Sequence, residues 1–454
     1  MEISSASLLT HRSFTASFSC ISLIHQSAAP KMGCTSSIPK VHCTVGKKKR
    51  KMMNIPNVVI FFSLTWIPVQ LDLRRSLRGL IPLDLIGRLS TLRNQIAFVA
   101  EDTGGSADVE LQRMLEEYLP LVLGFTKKEL GLLEFVEFKW RSLEERRQAR
   151  SLLNHSLNLV EQQIIIPNSW FEVLSVVHMM AMLTLSEANS LLIPKDQDGS
   201  GEKIVSSDCM KSAIDLMLKA SGLLEFCVEE VLIHLPPDIL KMVPQDLCKE
   251  LLKAISVQAL GQNATLSVKR RLACEEVSYF EQAHFCLSGC NPINPYLKKH
   301  LQFIQWKYLE AKAAAYYYHG LILDKGSEPS CHISAVCCFL AADELLSNSK
   351  KTCLSFCLAV PVTRVPPPWG IMKHLHKKIP EIASRKLQMY GYLLDQEKGL
   401  KTLPDLPEFQ QSLRPDEYEL PAMDPAWDTE NWDIPGQTLK QHLKDCDEDE
   451  METE

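Results

Sequence analysis

The chain is 454 residues long, 46% apolar, with a formal net charge of −6. That is enough for a sizeable core in two or three domains, or in one long helical domain. Seven acids (Asp445, Asp447, Glu448, Asp449, Glu450, Glu452 and Glu454) stand at the very end, so the body is close to neutral and lacks the basic footprint of a nucleic-acid binder. Its fifteen cysteines are spread through apolar helical patterns, as at Cys227 and Cys337-Cys338, which fits buried free thiols in a reducing compartment better than a secreted disulfide framework.

Residues 1–31 hold eight serines, two threonines and one acid, Glu2, a composition similar to a transit peptide although Arg12 is the only arginine. Met32-Gly33-Cys34-Thr35-Ser36-Ser37 then matches the N-myristoylation pattern, with Cys34 beside the acceptor glycine for palmitate. The pattern operates only if translation starts at Met32 or if the first 31 residues are removed. One myristoyl chain binds a membrane marginally, so a second signal is needed. Cys34 is one candidate and the basic run Lys47, Lys48, Lys49, Arg50, Lys51 is another, since each such charge contributes on the order of 1 kcal/mol near an anionic leaflet. The expectation is a protein peripheral on a cytoplasmic membrane face.

Val58 to Val69 is apolar but short and broken by Pro68, which predicts a buried strand or hairpin instead of a membrane span. From about residue 82 the pattern is helical, with Leu111, Leu115, Tyr118, Leu119 and Val122 at a 3.6-residue period and an amphipathic stretch over 142–163. Asn168-Ser169 marks a helix start before Trp170, and the apolar run 173–186 reads as a core helix. Residues 195–202 form a polar loop, followed by predicted helices at 205–232, 237–264, 267–287, 295–324, 330–359 and 371–399. After Leu400, Pro404, Pro407, Pro415, Pro421, Pro425 and Pro435 forbid a long helix, while Phe409, Tyr418, Trp427 and Trp432 suit a segment that packs back on the body. The predicted layout is an N-terminal extension (1–31), a lipidation and polybasic anchor (32–54), a helical domain (55–430) ending in a proline-rich strap (400–430), and an acidic disordered tail (431–454). The fold class is all-α, an elongated, curved helical solenoid.

Catalytic motifs are missing: the sequence has no phosphate-binding P-loop, no G-x-S-x-G, no H-E-x-x-H and no dinucleotide fingerprint. No catalytic residue, metal site or cofactor is therefore predicted, and the protein is not expected to be an enzyme. Cys286/Cys290 and Cys353/Cys357 share helix faces at i, i+4 but read as core thiols before zinc ligands. His374 and His376 lie among Lys373, Lys377 and Lys378 on an expected solvated face, and Asn263-Ala264-Thr265 is a formal glycosylation sequon. The run Tyr316-Tyr317-Tyr318 behind Ala311, Ala313, Ala314 and Ala315 is read as core packing, and acids are expected on polar helix faces, away from buried ion pairs.

Several long blocks resemble the BRO-type endosomal targeting domain in its plant-like form. They are Glu117 to Phe125 (EYLPLVLGF), Val136 to Trp140 (VEFKW), Trp170 to Ser175 (WFEVLS), Ser186 to Asn189 (SEAN), Glu310 to Gly320 (EAKAAAYYYHG) and Leu403 to Asp428. The resemblance spans about residues 55–430. It implies a mostly helical fold with a tetratricopeptide-like centre and a small β element near the N-terminus. It also implies a non-enzymatic adaptor that takes the C-terminal amphipathic helix of an ESCRT-III subunit into a hydrophobic groove, with roles in multivesicular-body sorting and membrane remodelling on endosomal or plasma membranes. The central helix, residues 247–262, is similar to the family's groove-forming region, and Leu252, Ile255 and Ala259 are the expected groove contacts. Alix-type members continue into a coiled arm and a proline-rich tail, so this chain is closer to the short Brox-type layout, without the cysteine fourth from the end that prenylation needs. The alternatives are a helical scaffold for an unrelated protein and an organelle-targeted or metal-binding helical protein.

Overall fold

The computed structural model describes residues 66–103, 108–142, 163–193, 195–196, 203–266, 270–290, 295–360, 362–363, 365–366, 372–396 and 403–432. All of them lie in the second of the chain's two units, residues 55–454. The extension 1–31, Gly33, Cys34, Lys47 to Lys51, most of the expected 142–163 helix and the acidic tail lie outside the described residues.

Among the described residues the fold is all-α with a small N-terminal sheet. Strand β1 (Trp66–Pro68) leads into helices α1 (Leu73–Leu77), α2 (Leu83–Thr103) and α3 (Asp108–Val122), then β2 (Phe138–Ser142), β3 (Gln163–Ile166) and α4 (Ser169–Leu191). The sheet is antiparallel in the order β1-β2-β3, with Ile67 opposite Arg141 and Lys139 opposite Ile165. The helical reading from residue 82 onward is thus interrupted. Phe138, Trp140 and Ser142 are buried while Lys139 and Arg141 are half-buried, the two-residue period of a strand. Ile164 to Ile166 are β-branched and fit a pleated surface better than a helix turn.

Helix α4 is entered through Asn168, whose Oδ1 accepts from the Trp170 and Phe171 amides at 2.9 and 3.4 Å and so satisfies orphan donors of the first turn. Nearly every side chain from Phe171 to Leu185 is buried. The helix is long and apolar enough to cross a bilayer, but 89% of its apolar window is buried inside the protein.

A short hairpin, β4 (Lys195–Asp196) and β5 (Lys203–Ile204), precedes α5 (Ser207–Phe226), α6 (Pro237–Met242), α7 (Lys249–Leu266), α8 (Arg270–Ser288), α9 (Pro295–Leu323), α10 (Pro329–Leu358) and α11 (Met372–Gln396). The single helix expected over 237–264 is divided. Pro244 lacks an N–H and clashes with the preceding turn, so the chain breaks at Val243-Pro244 and restarts at Lys249. From α7 onward each helix packs on the next, down to α10 against α11. Tyr316 and Tyr317 are buried in the α9–α10 seam with Ala335, Cys338 and Phe339.

Residues 403–432 run back across these helices as an extended strap. Leu403 and Leu406 pack on the α9–α10–α11 cluster. The Tyr279 hydroxyl donates to the Leu413 carbonyl at 3.0 Å and accepts from the Leu413 amide at 3.1 Å, and Ser412 donates its amide to Glu275 at 2.9 Å. The Asp416 amide donates to the Leu218 carbonyl, and the strap backbone comes so close to α5 at Gly222 that a Cβ there would lie 2.1 Å from the Asp416 oxygen. Beyond it, the Asp424 amide donates to the Pro120 carbonyl and the Trp427 indole Nε1 to the Leu121 carbonyl at 2.8 Å. Both carbonyls belong to the last turn of α3, which has no intrahelical donors for them, so the strap completes that helix. Arg88 pairs with Asp424 at 2.6 and 3.1 Å, and its hydrogen bond holds the Asp424 carboxyl below the usual range.

Two buried histidines give the fold a pH limit. Burial pushes both His178 in α4 and His300 in α9 down to about 3. Their folded values lie below the unfolded value of about 6.5, so the stability they contribute is complete above that pH and falls as pH drops toward 3. Each is expected to lose up to about 1.4 kcal/mol per pH unit within this window. Thermal melts at neutral pH and near pH 5 check this: His300→Gln should flatten the slope, and an unchanged slope would exclude His300 as a contributor.

Candidate partner groove

Helix α7 lies at the centre of the helical body. The Ser256 and Ser221 hydroxyls sit 2.9 Å apart across the α5–α7 seam, the Gln258 side chain meets His300 of α9, and Asn263 donates to the Ile214 carbonyl at 3.3 Å. Asn263 is 1% exposed, which removes the sequon from solvent. These polar pairs sit in apolar surroundings, where each satisfied partner fixes helix register.

Leu252, Ile255 and Ala259, the expected groove contacts, are at most 1% exposed and belong to the main core. They hold α7 in place and present nothing to solvent. The neighbouring stripe lines a cavity, although its Ser256, Val257 and Leu260 are themselves at most 5% exposed. A cavity of about 310 Å³ lies between α7, α8 and the strap, and Lys253, Ser256, Val257 and Leu260 line it from α7. These positions follow i, i+3, i+4, i+7, one residue or about 100° round the helix from the expected set. Tyr279 and Gln282 close one side, and Gln410, Gln411, Leu413, Arg414 and Pro415 of the strap close the other. The apolar floor is Val257, Leu260 and Leu413, while the Lys253–Glu225 ion pair and the exposed Gln282 and Gln410 stand at the rim. Sequence reasoning missed the strap's share, because residues near 410 and 260 come together only through the fold.

Polar groups lining the cavity are held by partners within the fold. Lys253 is paired with Glu225, the Tyr279 hydroxyl is tied to the Leu413 backbone, and Ser256 is bonded to Ser221. None of them forms a nucleophile–base pair. Elsewhere, burial raises the thiols of Cys286 and Cys290 and pushes those of Cys248, Cys338 and Cys353 up to about 12, which keeps them protonated at neutral pH. Among the described residues no cluster of three or more His, Cys, Asp or Glu side chains could hold a metal ion. His376 departs from the solvated face expected for it, since its Nε2 lies 3.4 Å from buried Glu310 on α9.

A buried ionic centre also departs from expectation. Arg93 of α2 and Glu172 of α4 are both fully buried and pair at 3.2 Å. Glu172 accepts from the Trp140 indole at 2.6 Å and the Tyr118 hydroxyl at 2.9 Å, while Arg93 donates to the carbonyls of Val69 and Lys139 at 2.6 and 3.0 Å. The centre joins α2, α3, α4, β1 and β2. Its role is structural, since no solvent reaches it.

The helical body with its N-terminal sheet and returning strap has the BRO1-type fold. One matching structure is the BRO1 domain of ALIX solved with CHMP4C, at a TM-score of 0.54 and 14% identity, over 80% of this chain and 97% of that domain. Another is ALIX in complex with the SIVmac239 PYKEVTEDL late domain, at a TM-score of 0.57 and 14% identity, over 86% of this chain. This chain spans about half, 53%, of the length of that ALIX chain. At this identity the likeness is one of fold. No family model matches the chain, and no curated protein matches it.

Proposed function

We propose that the chain is a non-catalytic adaptor of endosomal sorting. It binds the C-terminal amphipathic helix of an ESCRT-III subunit and works at a membrane surface. The observation that carries this reading is the match of fold over nearly the whole BRO1 domain of ALIX, a domain solved with CHMP4C. The cavity beside α7 supplies a place for recognition. An apolar floor of Val257, Leu260 and Leu413 takes one or two anchor side chains of a helix, and the charged and amide rim fixes its register. The membrane half of the reading rests on sequence: acylation at Gly33 and Cys34, with Lys47 to Lys51 facing an anionic leaflet.

Fluorescence anisotropy with a labelled ESCRT-III tail helix tests the partner. Val257→Phe fills the cavity without adding charge to the core and is expected to weaken binding about tenfold or more, equivalent to about 1.4 kcal/mol. The exposed Leu83→Ala should leave it unchanged. Equal affinity in Val257→Phe would move the groove elsewhere on the body. A chain that binds no ESCRT-III tail would favour a scaffold for another protein.

A further inference from the structure

One end of the helical body has a composition the groove does not use. Between Glu344 and Glu381 the sequence holds six lysines and arginines and no acid. The C-terminal turns of α10, the loop after it and the first turns of α11 come from this stretch. Its described apolar side chains project outward: Leu354, Leu358, Val360, Val362 and Val365 are 56–73% exposed. Leu354 and Leu358 share the outer stripe of α10 with exposed Lys351, at i, i+3, i+7, and Lys350 lies beside it. Lys373, Lys377 and Lys378 are exposed on the opening turns of α11, which returns antiparallel along α10.

The loop is tied down. The buried Lys299 ammonium donates to the Ala359 carbonyl at 3.0 Å and to the Thr363 hydroxyl at 3.1 Å, with the Phe356 ring 4.7 Å below it. The Thr363 amide donates to the Cys357 carbonyl at 3.0 Å. A lysine spent on holding a loop whose valines face water makes sense if that projection is used.

We propose that this end of the body is a docking face for an anionic lipid bilayer, with the aliphatic side chains entering the headgroup boundary and the lysines meeting lipid phosphates and carboxylates. The shape favours a bilayer over an acidic protein, because the apolar groups protrude singly from a helix end and a loop. Aliphatic tips ringed by long, snorkelling lysines match the layered polarity of an interface. The proposal extends the membrane half of the reading above and is independent of partner binding and of acylation.

The test is sedimentation of the full-length, unacylated chain with vesicles of phosphatidylcholine alone or with phosphatidylserine. Wild type is expected to sediment only with phosphatidylserine. Lys373→Glu with Lys377→Glu should lower partitioning on the order of tenfold or more, and Val362→Glu with Val365→Glu should act in the same direction. Both variants alter exposed residues and should keep the helical circular dichroism spectrum and the wild-type affinity for the tail peptide, so loss of the groove and loss of the lipid face are read separately. Variants that sediment as wild type overturn the proposal. So does sedimentation lost only when Lys47 to Lys51 are replaced, equal binding to both vesicles, or no vesicle binding by a chain that instead captures an acidic peptide through Lys373 and Lys377.

Discussion

Trp427→Ala is expected to destabilise the helical body by about 3–5 kcal/mol, the range for deleting a fully buried large aromatic side chain. The indole is 0% exposed, stands edge-on to Phe125 at 5.1 Å between ring centres, and donates to the Leu121 carbonyl at 2.8 Å. Its removal opens a cavity and leaves the Leu121 carbonyl at the end of α3 without this donor, two costs that add. The ring lies so close to the chain at Gly124 that a Cβ there would stand about 2 Å from it, so Gly124→Ala should displace the same contact from the other side. Half-buried Trp432, whose indole donates to the Ala426 carbonyl, should cost less when replaced by alanine. Urea denaturation of the full chain checks the order. Trp427→Ala costing under about 1 kcal/mol would mean that the strap's end is a loose appendage, and the 3 kcal/mol lower bound would be wrong. Residues some 300 positions apart would otherwise melt as one unit, because the last described turn of the chain is packing for the third helix.

What could be read from the sequence follows from the range of the signal. Periods of 3.6 residues are local, so α9 and α10 appear within a residue of their expected ends and α11 starts within one residue of its expected start. Proline chemistry is local too, and it correctly forbade a helix after residue 400 while aromatics at 418, 427 and 432 pointed to packing. The division at Pro244 was equally local, but an apolar pattern continuing on both sides hid it. The strands failed for a different reason. Phe138 to Ser142 is short, and its two-residue alternation becomes decisive only when β1 and β3 supply hydrogen bonds from 70 residues upstream and 25 downstream. The expected groove contacts are buried one stripe round the helix from the cavity. Leu252, Ile255 and Ala259 and the lining set Val257 and Leu260 are all apolar, so hydropathy cannot say which stripe faces the neighbours and which faces the cavity. That choice depends on the strap arriving over α7 and α8. The buried ion pair left a trace in the sequence, since Arg93 replaces an apolar residue in the series Leu85, Leu89, Ile96, Ala100 of α2, and Glu172 is the one charge between Ser169 and Ser186 of α4.

The second large effect belongs to that pair. Arg93→Met is expected to cost about 3–5 kcal/mol, because it leaves Glu172 buried without its cationic partner. Isolated buried pairs often tolerate joint replacement by apolar residues, yet this one should not. Arg93 also serves the carbonyls of Val69 and Lys139, and its guanidinium lies 5.7 Å over the Trp140 ring, so the doubly apolar variant strips the Val69 carbonyl, an indole N–H and a phenol of these partners, while the Lys139 carbonyl keeps only the Val69 amide. Glu172→Gln removes the anion at nearly the same shape: it keeps one acceptor oxygen for Trp140 or Tyr118 and sets an amide donor in place of the other, so it should cost less than Glu172→Leu. The measurement is a double-mutant cycle in urea. A doubly apolar chain as stable as wild type would show that Arg93 and Glu172 merely offset each other's desolvation. Persistent destabilisation would show that the pair organises the junction of sheet, α2 and α4 on which the helical body is seated.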